Sequence, residues 1–317
     1  MKDRVEIVHE NFITRVKNND LPDLQGQTDL SKSRLNPEKL VEIFESQLLS
    51  RRLDMYARVL QAMGEGFYTI GSSGHEGLAA LAAACRLEDN AFLHYRDAAF
   101  YIQRSKQRAG ETPLWNMLLS FCASENDPIS GGRHKVLGSK SLNIPPQTST
   151  IASHLPKAVG AAFSIGLSRK VKVKANFDPR SIIICSFGDA SLNHSTAQGA
   201  INSAAWAGYR GAAMPILFVC EDNGIGISTR TPHDWVKSNY ANNPHIKYFH
   251  CNGLNIVDTY ETALAAQNYV RREQKPAMLH FECVRLYGHA GADAQHAYMD
   301  SADIDAVEAN DPLLHSA

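Results

Sequence analysis

The chain has 317 residues, 44% of them hydrophobic, with 32 Lys and Arg against 33 Asp and Glu and a formal net charge of -1. That length can bury a sizeable core in one large or two smaller domains, and the even charge balance argues against nucleic acid or an anionic membrane as a partner. Six scattered cysteines without a CxxC pair, no run near the roughly 18 apolar residues of a membrane span, and no apolar signal core in MKDRVEIVHENF lead to the expectation of a soluble, cytoplasmic chain.

Residues 1–33 read as an arm or linker, with one helical stretch from Val5 to Val16 and then the turn-rich NNDLPDLQGQTDLSKS. Asn36-Pro37-Glu38 opens a long helix, with Pro in the first turn and an acid near the positive end. Leu40, Ile43, Phe44, Leu48, Leu53, Tyr56 and Leu60 keep a rough helical period to about Met63. Phe67 to Gly74 is a glycine- and serine-rich turn before His75-Glu76-Gly77, and Leu78 to Cys85 is a helix of small residues. Ala91 to Tyr95 reads as a strand ending in Arg96-Asp97, followed by a helix to about Arg108 and another over Trp115 to Phe121. Ser130 to Ser153, with paired glycines and Pro145-Pro146, is expected to lack regular structure, and a loop of that length is usually functional or disordered. A helix over Leu155 to Leu167 and a basic connector from Val171 to Pro179 come next.

The stretch from Ser181 to Ser228 carries the clearest signal. Two short buried-strand runs, Ile182 to Phe187 and Pro215 to Cys220, flank an Ala-rich helix that ends near Ala207. Further on, Leu254 to Val257 reads as a strand, Tyr260 to Arg272 as a helix and Ala277 to Val284 as a strand. The alternation implies an α/β fold: a doubly wound, mostly parallel sheet with helices on both faces, spanning residues 34–285. Residues 286–317 read as a loop and then a weak helix.

The two strand runs of that stretch end at Gly188-Asp189 and at Glu221-Asp222-Asn223-Gly224, and in an open parallel sheet such turns share the carboxyl-end rim where ligands bind. Asp189 and Asn223, separated by 223 − 189 = 34 residues, would bring two oxygens together for a hard cation such as magnesium. The backbone N–H groups after Asp189 open a helix and suit phosphate. Read alone, the same pair also fits a helix cap and a plain turn.

GDAS-LN before an Ala-rich helix, PILFVCEDNGIGIS and the later YGHAGAD together resemble the thiamine-diphosphate motif of the 2-oxoacid dehydrogenases. The similarity is to the alpha-type chain of their first, decarboxylating component. GSSGHEGLAAL, HYRDAAF, and SGGR with STIASHLPKAVGAA resemble further segments of that family in the same order, from about Ser33 to Pro312. Two positions depart from the pattern. Ala190 stands where the family usually has glycine, and Asp222 where it usually has asparagine. The stretch AGYRGAAM also looks like an insertion.

The resemblance implies thiamine diphosphate and magnesium as cofactors. It implies Asp189, Asn223 and the carbonyl of Ile225 as metal ligands, and Tyr95 and Arg96 as diphosphate contacts. Gly188, Ala190, Ser191 and Asn193 would line the same end, with Ser149 and Ile151 beside the rings. His289 corresponds to the active-site histidine, with a pKa expected near working pH; His75 and His94 are further candidates for contact. Ala290 occupies the place of a phosphorylated serine in regulated relatives. The implied reaction is oxidative decarboxylation of a 2-oxo acid, branched-chain favoured over pyruvate or acetoin, with acyl transfer to lipoyl groups on an acyltransferase component. No motif corresponds to the carboxylate needed at the aminopyrimidine, so a beta-type half is expected to supply it within a homo- or hetero-oligomer. That half is either a separate subunit or the remainder of a fused chain truncated here, the second being favoured. A non-catalytic scaffold that keeps the fold is the alternative from another class.

Overall fold

The computed structural model describes residues 3–23, 29–67, 70–173 and 177–317. Parts of three expected connectors, at 24–28, 68–69 and 174–176, lie outside the described residues. The first half of the chain forms α1 (Arg4–Lys17), α2 (Pro37–Ala62), α3 (Leu78–Ala84), β1 (Asn90–Phe92), α4 (Ala98–Ser105) and α5 (Pro113–Phe121). It continues through β2 (Leu137–Ser139), β3 (Ile144–Gln147), α6 (Leu155–Val171), β4 (Ile183–Gly188), α7 (Ser195–Tyr209) and β5 (Ile216–Asp222). After these come β6 (Ile225–Gly226), β7 (Thr229–Arg230), α8 (Trp235–Tyr240), β8 (Lys247–Asn252) and α9 (Ile256–Glu273). The last elements are β9 (Ala277–Glu282), α10 (Ser301–Ala309) and α11 (Pro312–Ser316).

Five strands form one parallel sheet in the order β1-β4-β5-β9-β8. Side chains alternate between its faces. Ile184, Leu217, Val219 and Leu279 pack with Leu78, Leu81, Phe100, Ala263 and Ala266 of α3, α4 and α9. Ile183, Cys185, Phe218 and Cys220 pack on the other side with Leu155, Ala158, Ala197 and Ile201 of α6 and α7. This is the doubly wound arrangement expected from the alternation, and both strand cysteines serve as small buried hydrophobes. All six cysteines are free thiols. Among the described residues no helix is long and apolar enough to cross a membrane.

Two element boundaries differ from expectation. Leu254 to Val257 is not a strand: Asn255 caps α9, its side chain accepting from the N–H groups of Val257 and Asp258 at 2.9 and 3.1 Å. The strand is instead β8, KYFHCN, whose mixed polarity fits an edge position with one face partly exposed. The loop from Ser130 to Ser153 also holds a small antiparallel ribbon, β2 with β3, in which Pro145 and Pro146 are tolerated because that strand has few partners to supply. The extra residues near 207–214 become the exit turn of α7, where Gly211 takes a φ of +85°.

The helix α2 buries a polar face. Arg51 donates from Nε to Glu76 at 2.7 Å and, in a two-pronged pair, to Asp311 at 2.9 and 2.8 Å. Asp311 also caps α11, accepting from the Leu313 N–H at 2.9 Å. One turn along α2, Asp54 accepts from the N–H groups of Ser72 and Ser73 at 2.5 and 2.7 Å and from the Ser73 hydroxyl at 2.7 Å. Gly71 is required there, since a Cβ would lie 2.7 Å from Asp54 Oδ2. The arm helix α1 packs on this region, Val5 and Val8 against Leu286 and Tyr287, and Phe12 against Leu313 and Leu314. Removing Arg51 strands two buried carboxylates, so Arg51→Ala is expected to lower unfolding free energy by about 3–5 kcal/mol in a denaturant titration.

Candidate functional site

The carboxyl ends of β4 and β5 lie level, Gly188 paired with Glu221, and the turns beyond them face each other. Asp189 begins a single turn of 3-10 helix that runs to Asn193 and leads into α7. It is 1% exposed and accepts a hydrogen bond from the Thr231 hydroxyl. No Lys or Arg among the described residues pairs with it, and burial raises its pKa to about 6. Such a carboxylate is one that a bound cation would stabilise.

Across from it, Gly224 takes a φ of +73° and turns the chain into the β6–β7 ribbon. The ribbon returns Thr231 to Asp189, and its Gly226 leaves room for the methyl of Ala190. A Cβ on Gly226 would lie 2.3 Å from that methyl carbon. Ala190 itself has no left-handed backbone, so alanine costs nothing at this departure from the family pattern. The second departure is matched too: Asp222 bonds to Nε2 of His280 at 2.9 Å.

Asn223 accepts from the Ile225 N–H at 3.1 Å, and its amide nitrogen lies 3.1 Å from His75 Nε2. His75 and His94 both direct Nδ1 at one oxygen of Glu221, at 2.6 and 3.0 Å. Burial pushes Glu221 up to about 8, and the neighbouring Asp97 is raised well above the carboxylate range by burial and by the charge of Glu221. Burial likewise lowers both imidazoles, His94 to about 3. His94 Nε2 is buried without a partner on the wall of the site.

Arg96, 3% exposed, donates to the carbonyls of Gly71 at 2.5 Å and His289 at 2.9 Å, and faces His289 Nδ1 at 3.2 Å. A guanidinium only donates, so Nδ1 of His289 is the acceptor and the ring proton sits on Nε2. Burial and then the charges of Arg96 and Arg285 lower the His289 pKa to about 4. The ring is therefore a neutral donor near pH 7, whereas the sequence suggested a group titrating there. The backbone N–H of His289 donates to Asp293 Oδ2 at 2.6 Å.

A cavity of about 350 Å3 is lined by Tyr95, Arg96, Ile151, Gly188, Asp189, Ala190, Ser191, Asn193, Asn223, Ile225 and His289. Of the residues singled out in the sequence for this site, Ser149 and His75 do not line it: Ser149 is exposed on the neighbouring loop, and His75 is buried behind Asn223. Arg285, which the sequence reading passed over, also lines it, donating to the Ile227 carbonyl and the Tyr298 hydroxyl at 2.8 Å each while its Nε has no partner. Only its place four residues before His289 could have signalled it. The donor set fits a hard cation with an anionic ligand: carboxylate, amide and carbonyl oxygens beside two guanidinium groups and a helical turn's N–H groups. The ionised Asp189 costs stability in the chain without a bound cation. Because its folded pKa is raised, that cost is absent below about pH 4 and complete above about pH 6. Asp189→Asn is therefore expected to melt higher than wild type at about pH 7.5, the gap closing as pH falls through 6, in thermal scans without added metal.

The sequence profile of the family described as "Dehydrogenase E1 component" matches residues 45–316. The chain is 27% identical to the mouse (Mus musculus) mitochondrial 2-oxoisovalerate dehydrogenase subunit alpha, over 93% of this chain and 64% of that protein. The human (Homo sapiens) counterpart is 25% identical over the same shares, and the 2-oxoisovalerate dehydrogenase subunit alpha of Bacillus subtilis is 26% identical over 88% of this chain and 81% of its own. The chain thus spans 64% of the length of these two mammalian relatives. With a profile matching most of its length, the chain belongs to the dehydrogenase E1 component family.

Proposed function

We propose that this chain is the alpha-type part of a 2-oxoacid dehydrogenase that binds magnesium and the diphosphate of thiamine diphosphate. The observation that carries the reading is the rim cavity, which gathers the metal-ligand, phosphate-contact and histidine positions from five separated segments. When bound, thiamine diphosphate supplies the carbon nucleophile and electron sink for breaking the bond between a carboxyl and a 2-oxo carbon.

This chain's residues then have distinct tasks. Asp189, Asn223 and the Ile225 carbonyl hold the cation. Arg96 neutralises phosphate with a forked donor, and the N–H groups of Ala190 and Ser191 add to it. Ile151 forms an apolar wall. His289, neutral with its proton on Nε2, donates a hydrogen bond to developing negative charge on the substrate. The carboxylate that meets the aminopyrimidine comes from a beta-type partner, and a lipoyl-bearing acyltransferase receives the acyl group. The substrate favoured is a branched 2-oxo acid, because relatives named for 2-oxoisovalerate match across most of the chain.

Calorimetry of thiamine diphosphate with magnesium, on the chain assembled with its partner, tests binding. Arg96→Ala is expected to weaken it by about 10- to 100-fold, the loss of a charge-assisted contact. Turnover of a panel of 2-oxo acids with an artificial electron acceptor should favour branched substrates over pyruvate. Absence of binding, with Asp189→Ala indistinguishable from wild type, would leave the scaffold alternative.

A further inference from the structure

Beside this site, the open end of the β8–β9 pair carries a second group of ligating side chains. His250 and His280 are register partners on the two parallel strands, with ring centroids 5.2 Å apart. Glu282 lies two residues beyond His280, on the same face of β9, and pairs in register with Asp222 of β5. One ligand atom from each of His250, His280 and Glu282 falls within 4.8 Å of the others.

The contacts orient these atoms toward one another. His250 Nε2 meets Glu282 Oε1 at 3.0 Å, and His280 Nε2 meets Asp222 Oδ2 at 2.9 Å. On the far side of the His280 ring, the Tyr248 hydroxyl lies 2.7 Å from Nδ1. While Nε2–H donates to the Asp222 carboxylate, Nδ1 accepts from this hydroxyl; with the ring proton on Nδ1 the same hydroxyl accepts it and leaves Nε2 free to ligate, the arrangement found behind metal-bound histidines. No Lys or Arg among the described residues pairs with Glu282 or Asp222, and Arg230 nearby is engaged with Asp303. Both carboxylates and both imidazoles line a cavity of about 1020 Å3, which gives an ion a path from solvent. The trio His75, His94 and Glu221 is equally close-set but enclosed, its shared carboxylate oxygen already bonded to both rings.

We propose that His250, His280 and Glu282, with Asp222 as a fourth donor, form a binding site for a first-row transition divalent ion of the zinc class. Imidazole nitrogen with carboxylate suits such ions, whereas magnesium requires oxygen ligands and belongs at Asp189. On binding, the ring proton of His280 moves through solvent from Nε2 to Nδ1, where the Tyr248 oxygen accepts it, and Asp222 is left free to turn to the ion. The site stands independently of the cofactor reading.

The test is titration of the full chain, in the assembly it forms, with cobalt(II) chloride under excess magnesium, read by visible ligand-field absorption. Saturable uptake of one equivalent is expected, displaced by zinc and not by magnesium, and unchanged in Asp189→Ala. Tyr248→Phe should weaken uptake by about 10-fold, as for a partner behind a ligand, and His250→Ala combined with Glu282→Gln by more than about 100-fold. His250 and Glu282 are exposed, so their replacement spares the core. In wild type, zinc should also perturb the His250 and His280 ring resonances, a readout that needs no variant. No saturable uptake, uptake that survives the double substitution, or uptake lost in Asp189→Ala would each overturn the proposal.

Discussion

The placing of Arg96 and His289 at the rim depends on a buried polar face of α2, where Arg51 and Asp54 sit about one helical turn apart. Both side chains are held there by hydrogen bonds, and neither is free to move without leaving buried polar groups unpaired. Asp54 gathers the backbone of Ser72 and Ser73, which places the Gly71 carbonyl on Arg96. Arg96 then fixes His289 through both its carbonyl and its ring nitrogen. The histidine is thus positioned by a chain of hydrogen bonds that starts on α2, in the first quarter of the sequence.

The same arrangement explains the state of His289. A positive guanidinium against Nδ1 rules out a second proton on the ring, and burial adds to that cost. The cluster around Glu221 works similarly on its neighbours, keeping two imidazoles neutral while one holds the Asn223 amide group. Polar order inside the sheet's rim is built mainly from groups that stay uncharged, with Asp189 left as the buried charge that a cation would balance. Arg96 and Arg285 supply the opposite sign on the facing wall.

Much of this was legible in the residues. Short apolar runs ending in Gly188-Asp189 and Asp222-Asn223 announced strands whose ends would converge, because parallel crossovers leave those turns on one rim. Local signals could not reveal which partners lie across the fold. Arg51 and Asp54 fall outside the apolar period of α2, and long-range pairing buries them. Strand β8 was hidden by its polar edge and by the cap at Asn255, which favours starting a helix where apolar residues suggested a strand. Thr231 and Arg285 carried no motif of their own, and Ser149 matched a motif position but is exposed and does not line the cavity.

The contact between Ala190 and Gly226 has a consequence for which sequences this rim can accept. The space between the 3-10 turn and the ribbon holds one methyl group, since a second on Gly226 would sit 2.3 Å from the first. The two positions are therefore mutually exclusive for a side chain: either one can carry it, but not both. Whether a side chain at one is tolerated depends on the occupant of the other, so the alanine here and the glycine across from it are sterically coupled.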